Sequence, residues 1–147
     1  MRYCLRFTVF FVMLCLSLCL VSCEKKKLEG KVVVSAQEFT LRQDKENTFT
    51  IDAKGKIKNV GEVDVKKVVV TGYCRSCGEI WAPGRWFISG AEKMPYQKDI
   101  INYLPVGAEE SFSFGGVADI ILSAGQGAPE KPEKFEIVIE SFETVEE

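Results

Sequence analysis

Apolar and polar positions alternate along most of the chain after residue 30. Val32 and Val34 open an extended segment that the pattern carries to about Leu41, and Asp44-Lys45-Glu46-Asn47 then makes a polar turn. From Phe49 the alternation is strict. Phe49, Ile51, Ala53, Gly55 and Ile57 fall on one face, and Thr50, Asp52, Lys54, Lys56 and Lys58 on the other. Period two with a polar partner face predicts a half-buried strand. Asn59-Val60-Gly61-Glu62 interrupts it, and Val63 to Tyr73 resumes with Val65, Val68, Val69 and Val70, β-branched residues that suit a pleated surface.

Further along, Glu79 to Trp81 and Trp86 to Ile88 flank Ala82-Pro83-Gly84-Arg85. Pro-Gly at the centre predicts a type II turn. If the flanks pair as a hairpin, Trp81 and Trp86 face each other across it. Tyr96 to Tyr103 reads as another strand, ended by Leu104-Pro105-Val106-Gly107, and Ser111 to Phe114 and Phe135 to Ile139 alternate again. Val117 to Ala124 reads as the one helical turn. The glycines at Gly115-Gly116 and Gly125-Gln126-Gly127 read as turns, since no phosphate-loop motif surrounds them. Short strands joined by turns, with no repeat and no second-domain linker, predict an all-β antiparallel sandwich of about seven strands over residues 31–147.

The first 30 residues have another character. Arg2 and Arg6 precede an uncharged run from Phe7 to Ser22, the arrangement of an export signal. As a helix that run reaches roughly 24 Å, short of the ~30 Å hydrocarbon core. It ends in Leu20-Val21-Ser22-Cys23, which resembles the lipobox of bacterial lipoproteins. The resemblance implies cleavage between Ser22 and Cys23, lipid on Cys23, a tether over 23–30 and a place in the bacterial cell envelope. Ordinary signal cleavage and an uncleaved anchor are the competing readings. Glu24 is not the aspartate of an inner-membrane retention signal, so the periplasmic face of the outer membrane is expected if the host has two membranes. Lys25, Lys26 and Lys27 either meet anionic headgroups or form a solvated tether.

Composition narrows the chemistry. The chain has 147 residues, 46% of them hydrophobic, a formal charge of −2, six cysteines and no histidine. Without histidine there is no Ser-His-Asp or Cys-His catalysis and no mixed Cys/His zinc site. Without a Lys/Arg block, nucleic acid is not the expected partner. Four of the cysteines lie in the first 23 residues, and losing residues 1–22 removes three of them together with two positive charges.

The stretch Gly55-Lys56-Ile57-Lys58-Asn59-Val60-Gly61 and the valine strand after it resemble the opening of FxLYD-type domains. These, like the related CARDB-type modules, are small immunoglobulin-like domains of bacterial envelope proteins. Leu104-Pro105-Val106-Gly107-Ala108-Glu109-Glu110-Ser111-Phe112 is similar to their later turn, and Phe135 to Phe142 would be their last strand. The chain departs from the family at Val70 to Cys77, where the F-x-L-Y-D signature would sit. The resemblance implies an immunoglobulin-like sandwich and carries over no catalytic residue.

Three groups of residues bear chemistry. Cys74-Arg75-Ser76-Cys77 holds the one cysteine pair left after lipidation. In an exported protein such a pair is a disulfide by default, and a turn brings its ends within bonding reach. Redox work, or a metal or disulfide shared between two copies, are the alternatives. The second group is Tyr73, Trp81 and Trp86 with Arg85, residue types that dominate recognition surfaces and also fill sandwich cores. The third comprises carboxylates such as Glu109, Glu110 and Asp119, without a calcium-loop pattern. The expected function is a lipid-anchored envelope binding module. It has no catalytic activity, cofactor or metal, and its partners are the membrane through Cys23 and an envelope protein. The alternative is a thiol–disulfide or metal-handling role for Cys74 and Cys77.

Overall fold

The polar turn expected over Asp44 to Asn47 is present, shortened to Glu46 and Asn47, and it joins two paired strands. β1 (Val32–Lys45) pairs antiparallel with β2 (Thr48–Asn59), and β2 continues antiparallel into β5 (Glu109–Ile121). In the second sheet, β3 (Val65–Cys74) lies between β4 (Lys98–Leu104) and β6 (Phe135–Thr144), antiparallel to both. This computed structural model describes residues 28–88 and 92–145; the proposed signal peptide and Cys23 lie outside them. Six strands are described where about seven were expected, and residues 79–88 supply none. The order β1-β2-β5 against β4-β3-β6 has the first, second and fifth strands of an immunoglobulin-like sandwich in one layer and its centre in the other.

The alternating faces explain the packing. Ile51, Ala53 and Ile57 of β2 and Phe112 and Phe114 of β5 meet Val68 and Val70 of β3, Leu104 of β4 and Ile137 of β6 in one buried cluster. Phe39 of β1 stacks on Phe135 of β6 with ring centroids 4.6 Å apart, closing one side of the sandwich. Gly72 lies on this inner face, where an added Cβ would come within 3.0 Å of the Val117 side chain.

Val117 to Ala124 is not a helical turn. β5 runs to Ile121, with Val117, Ala118 and Ile120 buried. Extra residues bulge out of β5 between the Ala53–Phe114 and Ile51–Ala118 pairs, and this shift hides the alternation in the sequence. Gly115-Gly116 form the bulge, not a turn. Gly116 has φ +68° and lies so close to Tyr96 that a Cβ would sit 2.7 Å from the ring. β1 has its own irregularities at Ser35 and Asp44.

All six strands run between two poles. The start of the described chain at Leu28, the β2–β3 turn, the β4–β5 turn and the end of β6 share one pole. The β1–β2 turn and the long connections 75–97 and 122–134 share the other. The ten residues of β3 put the poles roughly 33 Å apart. No helix of the described residues is long and apolar enough to cross a membrane.

Candidate recognition site

The long connection after β3 is organised by its cysteines. Cys74 ends the strand in the core and is disulfide-bonded to Cys77, with Cα atoms 5.4 Å apart. Between them Arg75 turns outward to Glu136 at 2.7 Å, and no helix begins at the pair. The chain then makes a closed circuit. Gly78 N–H donates to the Trp86 carbonyl at 2.9 Å, and Ile88 N–H donates to the Gly78 carbonyl at 3.0 Å.

Within the circuit the Pro83-Gly84 turn forms as expected. Arg85 N–H donates to the Ala82 carbonyl at 3.2 Å, and Gly84 has the positive φ of +69° that a type II turn needs at its third residue. The flanks do not pair as a hairpin, and Trp81 and Trp86 are not a cross-strand pair. Type II geometry splays the flanks apart. The backbone of Phe87 instead exchanges both hydrogen bonds with Asp119 on the free edge of β5, each 2.9 Å long. Gly84 N–H adds a bond to the Ile121 carbonyl.

This circuit and the segment after Pro129 enclose an open cleft of about 680 Å³. Its walls include Ser76, Ile80, Arg85, Trp86, Lys131 and Pro132. Trp86 is half-buried against the core, and its indole N–H donates to the Glu130 carbonyl at 2.9 Å, so one wall is fixed. Ile80 of the lining is 83% exposed, and Trp81 beside it on the loop is 53% exposed. Arg85, Glu79, Lys131 and Glu133 give the cleft both signs of charge. The arrangement offers an aromatic and aliphatic contact together with charged and polar groups.

The four expected recognition residues separate. Trp86 and Arg85 line the cleft, whereas neither Trp81, exposed on the same loop between the lining residues Ile80 and Ala82, nor Tyr73 lines it. Tyr73 lies between two cations, Arg75 at 4.9 Å and Lys93 at 4.6 Å from its ring centroid, and its hydroxyl donates to Glu140 at 3.4 Å. Burial, and then Glu140, push its phenol above the ordinary value. Burial pushes the Lys93 ammonium down. Asp119 beneath the loop is raised by burial against a lowering hydrogen bond from Thr50. Among the described residues, no group of three or more Cys, Asp or Glu side chains is placed to hold a metal ion.

Sequence reasoning missed Ile80, Lys131 and Pro132. The signal for Ile80 was available: an isoleucine beside a tryptophan in a Pro/Gly-bounded loop. The contribution of residues 129–133 depends on the crossover before β6 passing this loop, which no local pattern encodes. No family model, curated protein or solved structure matches the chain.

Proposed function

We propose that this protein is a lipid-anchored module of the bacterial cell envelope that binds another envelope protein through the cleft and makes no covalent change in its partner. The supporting observation is the cleft: an exposed isoleucine and tryptophan on a loop held by one disulfide, beside a fixed Trp86 and Arg85. Exposed aromatics with arginine on a rigid support are the make-up of interface hot spots. The lipobox-like Leu20 to Cys23, the resemblance to FxLYD-type domains and the lack of histidine in the chain agree with this reading.

The test is site-specific photocrosslinking in intact cells. A photoreactive residue in place of Ile80 or Trp81 is expected to give one discrete protein adduct, while the same residue in place of Lys54 on β2 gives none. Equal labelling at all three sites, or none at any, defeats the reading. Intact-mass measurement from native membranes, with and without alkylation, tests the rest. It is expected to show lipid on Cys23 and no thiol at Cys74 or Cys77. Rapid alkylation of that pair would favour the thiol-based alternative.

A further inference from the structure

The pole opposite the cleft carries its own exposed apolar side chains. Leu28 is 52% exposed, Val60 46% and Val106 48%, and Tyr103 beside them is 51% exposed. They lie on three different segments brought together by the fold. Val60 N–H donates to the Lys31 carbonyl and Glu62 N–H to the Glu29 carbonyl, which lays the start of the described chain against the β2–β3 turn. Gly61 N–H donates to the Asn59 side chain and Gly107 N–H to the Asn59 carbonyl, so Val60 and Val106 each sit next to a residue fastened to one buried asparagine. Val106 N–H and the Tyr103 hydroxyl both donate to Asp64. Three apolar tips and an aromatic ring are thus held in fixed relation. The charges around them, Glu29, Glu62, Asp64, Glu109, Glu110 and Glu143 with Lys31, Lys58, Lys66 and Lys67, are of both signs with a small acidic excess.

We propose that this pole rests on the lipid bilayer, with Leu28, Val60 and Val106 reaching the boundary between headgroups and acyl chains and the cleft facing away. The inference rests on lipid attachment at Cys23. Four residues separate Cys23 from Leu28, and the five Cα–Cα steps between them span at most roughly 17 Å when fully extended. The poles are about twice as far apart. The tether therefore cannot let the cleft pole face the bilayer with Leu28 uppermost. Of the orientations left, upright and lying flat, the upright one places the apolar tips against the membrane. It also sets Tyr103 at the interfacial depth that suits a ring with one polar end. Lys25 to Lys27 follow the attachment point, where anionic headgroups attract them. Apolar contacts this few hold an orientation only because the lipid already holds the protein.

The experiment uses the full mature lipoprotein, purified in its lipidated form and reconstituted in phosphatidylethanolamine–phosphatidylglycerol vesicles with brominated acyl chains, which quench tryptophan on contact. The chain's two tryptophans, Trp81 and Trp86, both lie at the cleft pole and act as an internal control. Wild-type emission is expected to equal that in unbrominated vesicles. Val106→Trp, and Val60→Trp as a second probe should the first disturb its turn, are expected to lose their added emission. Vesicle-bound protein whose new tryptophans stay unquenched, or whose native tryptophans are quenched, overturns the docking while leaving the anchor in place. An unlipidated Cys23 in protein that stays off vesicles overturns the anchor, and the docking with it.

Discussion

Asn59 is fully buried and has all its polar atoms engaged. Its amide donates to the carbonyls of Val63 at 2.9 Å and Leu104 at 3.1 Å, and its side-chain oxygen accepts from Gly61 N–H at 2.9 Å. Asn59→Ala leaves one buried and two partly buried groups without this partner, at an expected cost of about 2 kcal/mol. In urea unfolding this lowers the midpoint while the slope stays unchanged; an unchanged midpoint refutes the role. Two aspartates carry a second residue-scale prediction. Asp119 is raised above the ordinary 3.8 by burial, so its contribution to stability is complete at low pH and is lost as pH rises through its folded value. Asp64 is lowered by the Tyr103 hydroxyl and then by Val106 N–H. Its contribution is present above 3.8 and lost as pH falls through its folded value. A carbon-detected NMR titration is expected to place the Asp119 carboxyl midpoint above 3.8 and that of Asp64 below it, and the reverse order would contradict both environments.

At the scale of elements, the Cys74–Cys77 bond closes a very short loop. On the chain-entropy account it restricts the unfolded chain by about 2 kcal/mol. Cys74→Ser/Cys77→Ser is expected to keep the β-sheet circular-dichroism spectrum and lose about that much stability in urea, together with the adduct at Ile80. A variant that fails to fold would instead make the bond a staple of the whole sandwich. Elements also mark where sequence reading succeeds. β2 was legible from Ile51 to Lys58 because one face meets the core and the other is more exposed. Thr50 on the polar face is buried, and Asn59, read as the start of a turn, is a buried end of the strand. β5 was legible only to Phe114. Its bulge breaks the period, and Asp119 is half-buried because Phe87 pairs on its far side. The loop 75–88 was legible only at its turn, since its backbone partners lie on β5, far away in sequence.

At the scale of the molecule, the two-layer sandwich followed from the alternation, whereas its poles did not. Leu28, Val60 and Val106 are isolated apolar residues in polar surroundings, and single exposed apolar residues are ordinary on any protein. They make a surface only after two turns meet at Asn59 and the start of the described chain is laid against one of them. The cleft likewise needs both the circuit after Cys74 and the crossover before β6.

The way the two margins of the β1-β2-β5 sheet end has a consequence if the protein is held on a membrane, as proposed. Chains confined to a membrane share a thin layer and meet repeatedly in similar orientations, which favours edge-to-edge zipping of exposed strands and aggregation. β1 interrupts its margin with irregularities at Ser35 and Asp44, and the Lys131 ammonium donates to its Phe39 carbonyl at 3.3 Å. Phe87 closes part of the margin of β5. Together these features oppose edge-to-edge pairing of the β1-β2-β5 sheet between neighbouring copies, which would leave each cleft open in such a layer.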